Sequence, residues 1–146
     1  MPIYDVEMIR KFYLNYSNKV NGIKQKLNRA LTLSEKILYA HLYDEKTVKD
    51  FKRAEDYADF RPDRVAMQDA TAQMALLQFM NAGKTSSAVP ATIHCDHLIE
   101  ACKGAEEDLK NALNVNKEVY NFLESVAKKY GLGFWEAGSG IIHQIV

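Results

Sequence analysis

Cysteine is almost missing from this chain. Only Cys95 and Cys102 occur in 146 residues, and they lack Cys-x-x-Cys spacing. A disulfide framework is therefore excluded, and free thiols in a reducing compartment are expected. An excess of charge is missing too, since 19 basic residues balance 19 acidic ones. Bulk attraction to nucleic acid or to an anionic membrane surface has no basis in such a balance, so neither is expected as a partner. No apolar run approaches the ~20 residues of a membrane span. The opening Met1-Pro-Ile-Tyr-Asp-Val-Glu7 carries acid early and has neither the apolar core of a signal peptide nor an Arg-rich amphipathic pattern. It reads as a cytoplasmic, bacterial-type start, with the mitochondrial matrix as the alternative.

What is present supports one domain with one core, preceded by helices. Val6 to Tyr16 is helix-compatible, with Met8, Phe12 and Tyr16 on neighbouring turns. Asn18 to Arg29 reads as a polar connector turning at Asn21-Gly22. Thr32 and Glu35 form a capping box ahead of Ile37, Leu38 and Ala40, with His41 on the surface. Asp50 to Phe60 continues helically until Arg61-Pro62-Asp63 breaks it. Beyond the break the pattern changes. A short strand over Arg64–Met67 leads to Asp69 or Thr71 as helix cap, and that helix runs to Met80 and stops at Gly83. A strand over Val89–Cys95 follows, then one long helix from about Glu106 to Tyr130 with Gly131 as its stop. Gly131 to Gly140 reads as a glycine loop and Ile141 to Val146 as the start of a further element. This order predicts an incomplete α/β/α layer over residues 61–146, cut at its C-terminus, after an N-terminal helical segment over 1–60.

Chemistry concentrates in Ala91-Thr-Ile-His-Cys-Asp-His-Leu-Ile-Glu100, where titratable groups interrupt a strand-like run. Alternation places Thr92, His94 and Asp96 on one face and Ile93, Cys95 and His97 on the other. A strand ending at Asp96 lifts that rule and lets Asp96 orient and charge His97, as an acid/base pair needs. The plainer reading of Asp96-His97 is a loop hydrogen bond. His94-x-Asp96-His97 resembles part of the metal motif of metallo-β-lactamase-like hydrolases, but Thr92 stands where its first His belongs, so no metal ligand is assigned. Gln68, between strand and helix N-terminus, could hold a carboxylate or hydroxyl, or simply face solvent. His143 among Ile141, Ile142 and Ile145 reads by itself as a satisfied core histidine. Met67, Met74 and Met80 read as core filling.

Taken together, the motifs carry more. Leu31-Thr-Leu-Ser-Glu-Lys-Ile37, the run Arg61 to Phe79 with Gln-Asp-Ala-Thr-Ala-Gln at its centre, Ile93-His-Cys-Asp-His-Leu-Ile-Glu-Ala101, Glu118 to Leu123, Lys129 to Trp135 and Gly138 to Ile145 resemble, in order and spacing, the first domain of the aconitase family, mitochondrial type. The resemblance covers nearly all the chain from Leu27 onward.

That resemblance implies a hydro-lyase interconverting citrate and isocitrate through cis-aconitate, with a [4Fe–4S] cluster. It implies a substrate contact at Gln68, proton handling by His97 paired with Asp96, and a further active-site histidine at His143. The cluster's cysteine motif, the family's catalytic serine and its substrate arginines have no counterpart here, so the chain is expected to be the N-terminal fifth of such an enzyme, working with the remainder. A non-catalytic interaction module docking through Ile141–Val146, and a related hydro-lyase acting on homocitrate or isopropylmalate, are the alternatives.

Two cysteines without motif spacing cannot hold a cubane cluster. After anaerobic reconstitution with iron and sulfide, the isolated chain should show neither stoichiometric cluster absorbance nor formation of cis-aconitate from citrate.

Overall fold

Val20, Ile23 and Leu27 recur three and four residues apart, and the first two are buried. That stripe carries helix α1 unbroken from Val6 to Leu27. The expected connector and turn at Asn21-Gly22 are therefore corrected. One interior glycine costs about 1 kcal/mol in a helix, less than the ~1.5–3 kcal/mol from burying each aliphatic side chain. The helix ends where Asn28 takes φ 49°, a left-handed conformation that asparagine tolerates. The structure, a computed structural model, describes residues 6–146 apart from the Ile145 side chain. The first five residues of the expected helical segment lie outside it.

These residues divide into two compact units, with the chain passing from one to the other between Pro62 and Asp63. In the first, Thr32 caps helix α2, Leu33–Ala40, through the expected box: Thr32 Oγ1 accepts the Glu35 N–H at 3.2 Å, and Glu35 Oε2 accepts the Thr32 N–H at 2.8 Å. Arg29 also reaches Glu35 at 2.7 Å and holds its carboxyl down to about 2. A small core of Ile23, Leu31, Tyr39 and Leu42 is closed by Val48, Phe51 and Ala58. His41 is half-buried rather than on the surface, because its Nδ1 engages the Ile37 carbonyl at 2.7 Å and its ring faces Phe12 and Tyr16. Residues 50–60 do not continue helically. The Asp56 carboxylate takes the Lys52 N–H and the Lys49 ammonium, and Ala54 sits at φ 64°, so local side-chain bonds win over the helix.

The second unit is built on three parallel strands, β1 (Val65–Gln68), β2 (Ala91–His94) and β3 (Gly133–Trp135), with β2 in the middle. Helix α3, Asp69–Asn81, joins β1 to β2; helices α4, Ala105–Val115, and α5, Lys117–Tyr130, join β2 to β3; a short α6, Ile142–Ile145, closes the chain. This is the α/β layer the sequence predicts, with three differences. The long helix is two helices, because Asn116 leaves helical geometry and donates its side-chain amide to the Leu98 carbonyl at 3.3 Å. The glycine loop contains β3, whose Trp135 carbonyl accepts the Cys95 N–H at 3.0 Å. Met74 is exposed, whereas Met67 and Met80 pack on the core as expected.

The register sets two faces. Met67, Ile93 and Phe134 lie side by side and meet Ala72, Leu76, Tyr120, Leu123, Val126 and Ala127 from α3 and α5. One residue on, Gln68, His94 and Trp135 form the neighbouring row, which alternation turns to the opposite face. Gly131 ends α5 in the left-handed region at φ 69°. Gly138 is also left-handed, at φ 93°, and a Cβ there would press on the Leu109 side chain at 3.0 Å.

Leu123 is fully buried between helices and sheet. Leu123→Ala should lower unfolding free energy by about 2–5 kcal/mol, whereas Met74→Ala should stay within about 0.5 kcal/mol. Urea melts followed by far-ultraviolet circular dichroism measure both.

Candidate active site

β2 stops at His94, and the next residues leave the alternation of the strand. That exit brings Asp96 and His97 together as the sequence predicts. His97 Nδ1 lies 2.8 Å from Asp96 Oδ1, and the other oxygen, Oδ2, accepts the Ile142 N–H at 2.9 Å. Burial by itself would raise the Asp96 carboxyl, but the Ile142 N–H and the imidazole outweigh it and hold the group below the usual carboxylate range. An ionised carboxylate only accepts, so the proton between the two residues sits on His97 Nδ1 and leaves Nε2 free for other work. The His97 side chain is 36% exposed and that of Asp96 only 9%, so the ring faces outward from a sheltered partner.

His143 follows Ile142 on α6 and is exposed, which corrects the core reading of this residue. Its ring centroid lies 5.9 Å from that of His97. Gln68 caps α3 by its backbone position without a side-chain bond to the helix. Together with Ala66, Thr71, Ile142, His143 and Val146 it lines an open cleft of about 510 Å³. His97 borders a second hollow with Leu98, Asn111 and Asn116. The four residues singled out in the sequence thus gather at the C-terminal ends of β1 and β2, where parallel sheets present their ligand sites.

His94 takes no part in this group. It is fully buried, stacks on Trp135 with ring centroids 4.9 Å apart, and shares Nε2 with Thr92 Oγ1 at 2.9 Å. Arg64 donates to the same hydroxyl at 3.3 Å. Burial pushes the His94 imidazole below its ordinary value. Asp69, expected with Thr71 as a candidate cap of α3, is instead its first helical residue, since Gln68 holds the cap position. It is fully buried. Its Oδ1 accepts the N–H groups of Ala70 at 2.9 Å and His97 at 3.3 Å, and Oδ2 accepts that of Leu98 at 3.3 Å. A signal existed in the aspartate that opens α3 directly after a strand, but nothing local reveals partners 28 and 29 residues away.

Oxygen and nitrogen atoms of Asp69, Asp96 and His97 lie within 4.8 Å of one another. Each carboxylate oxygen among them already accepts a protein hydrogen. These bonds tie the three residues into one hydrogen-bond network. The cysteines do not join it either: Cys102 is exposed, and Cys95 points into the apolar core, where burial pushes its thiol up to about 12.

Residues 35–146 match the Aconitase family (aconitate hydratase). A probable mitochondrial aconitate hydratase of Caenorhabditis elegans is 60% identical over 93% of this chain and 18% of that relative. The mitochondrial aconitate hydratase of Gracilaria gracilis is 58% identical over 99% of the chain, and that of Saccharomyces cerevisiae 56% over 92%, again 18% of each relative. The chain spans less than a fifth of the length of these relatives.

The buried His94 makes stability depend on pH. The unfolded chain takes up the proton near the ordinary value of about 6.5, while the native chain resists it until lower pH. Stability is therefore full above that range and declines as the pH falls through it. His94→Gln should show a flatter decline in denaturant midpoint between about pH 7.5 and about pH 5.5; parallel profiles would contradict a neutral, buried His94.

Proposed function

Because the chain belongs to the aconitase family, we propose that it is a segment of an aconitate hydratase, interconverting citrate and isocitrate through cis-aconitate in the tricarboxylic acid cycle. Citrate, isocitrate and cis-aconitate are the substrates of this reading, and the rest of the enzyme is its partner. The names of the relatives favour a mitochondrial location over the cytoplasmic one expected from the N-terminal residues.

Within that reading His97 is the acid that protonates the departing hydroxyl, Asp96 holds its ring, His143 is a further active-site histidine and Gln68 binds substrate. The observation that carries it is the Asp96 carboxylate, gripped by the Ile142 N–H on one oxygen and by His97 Nδ1 on the other. Hydroxide is a poor leaving group, and a positioned acid contributes about 10²–10⁴-fold to its departure. Protonated on Nε2, His97 can deliver that proton from the exposed side of the ring. The positive charge is stabilised by Asp96 behind it, and loss of the proton returns the neutral ring with Nδ1 still bonded. Gln68, which lines the same cleft as His143, offers an amide donor and an amide acceptor to a substrate carboxylate or hydroxyl.

The family's [4Fe–4S] cluster supplies a Lewis-acidic iron to this chemistry. It does not fit the thiols of this chain, because Cys95 is sealed in the core with its thiol held protonated and Cys102 stands alone. We therefore place the cluster on other parts of the complete enzyme.

A chimera tests the reading: this chain in place of the matching segment of the Saccharomyces cerevisiae relative, assayed for isocitrate and cis-aconitate. It should be active. His97→Ala and Asp96→Asn should each lower kcat by about 10²-fold or more with little change in KM. Gln68→Ala should act mainly on KM, at about 1–3 kcal/mol. Cys102→Ser, on an exposed loop, should leave both unchanged. A His97→Ala chimera that keeps its kcat while folded would overturn the assignment.

A further inference from the structure

Among the described residues, a carboxylate outside the pair accepts both backbone N–H groups at the turn that carries His97. We infer that Asp69 is the positioning residue of the site: its buried carboxylate fixes the peptide groups of His97 and Leu98 and thereby presents the imidazole to Asp96. The inference rests on the reading of Asp96 and His97 as an acid and its orienting partner.

The argument begins with where the chain turns. After β2 ends at His94 no ladder partner remains for the N–H groups of His97 and Leu98, yet such donors need partners wherever water is excluded. Asp69 supplies them. It opens α3 on the neighbouring strand's exit, is 0% exposed, and accepts both N–H groups while its Oδ1 also takes the N–H of Ala70. Two consecutive amides pinned to one rigid carboxylate leave the His97 Cα little freedom, and the 2.8 Å contact of Nδ1 with Asp96 follows from that placement. Asparagine cannot copy the arrangement. Its amide nitrogen would face one of the two N–H groups with a donor against a donor, so one peptide must lose its partner. Asp69 makes no hydrogen bond to the His97 ring; its carboxylate oxygens bond the backbone, and its charge, within 4.8 Å of the ring nitrogen, adds to that hold.

The test is made on the 146-residue chain labelled with nitrogen-15, with imidazole tautomers read from long-range proton–nitrogen spectra at a pH where the rings are neutral. In the unmodified chain His97 should carry its proton on Nδ1, and the His97 and Leu98 amides should exchange slowly with solvent. In Asp69→Asn the His97 signals should move toward the Nε2–H form, and at least one of the two amides should exchange about tenfold faster or more. The nitrogen signals of His94, one turn of chain away on β2, should stay in place, which a general loosening of the sheet would not allow. An unmodified His97 protonated on Nε2 would overturn the reading of the Asp96–His97 pair itself. An Nδ1–H form that survives Asp69→Asn with both amides still slow would overturn the role of Asp69 and leave the pair standing. Should Asp69→Asn not fold, the unmodified chain decides, because His97 and Leu98 amides exchanging as fast as an open loop would refute the inference without any variant.

Discussion

A single peptide N–H, that of Ile142, reaches back to the Asp96 carboxylate and fastens the last helix of the chain to the end of the central strand. Remove it and the carboxylate is left in a half-buried place with one fewer donor, where burial would push it toward the neutral form. A neutral Asp96 no longer dictates which nitrogen of His97 carries the proton. The same bond sets α6 beside β2, and with it the position of His143. Ring orientation, charge and the floor of the cleft thus depend on one donor being available at the right place.

The central strand serves two environments at once. Ile93 and Cys95 face the helices, where packing is apolar and the thiol is silenced. Thr92 and His94 face the other way into a polar row, and the strand tolerates them because Arg64, the Thr92 hydroxyl and the Trp135 ring receive them. A buried histidine so enclosed shapes the sheet without entering the chemistry at its end. Two histidines three residues apart therefore have unrelated duties, and the break in strand geometry after His94 is what separates them.

Much of this was legible in the residues. The Thr32–Glu35 capping box, the exit from strand to helix around Gln68, the stop at Gly131 and the pairing of Asp96 with His97 depend on neighbours in sequence, and local patterns report those well. The elements that escaped depend on distant partners. β3 is three residues long and exists because β2 offers an edge to it. The division between α4 and α5 follows from the Leu98 carbonyl claiming Asn116. Helix α1 runs through Asn21-Gly22 because its buried stripe outweighs an unfavourable residue. Asp69 reads locally as no more than a candidate cap for the same reason: two of its partners are amides on another loop, and nothing within its own helix announces them.

Parallel pairing has a kinetic side. Val65 meets Ala91 and Thr92 meets Gly133, so each ladder joins chain segments separated by a whole crossover. The Ile142–Asp96 bond spans 46 residues. Loop-closure entropy grows only slowly with length, about 0.6 kcal/mol for each doubling, so the separation hardly weakens the finished fold, but contacts this remote in sequence slow its formation. The strands must find their order before the ends of β1 and β2 stand side by side, and α6 can dock only afterwards. Along the folding pathway, the grouping of Gln68, Asp96, His97 and His143 is therefore expected among the late features to assemble.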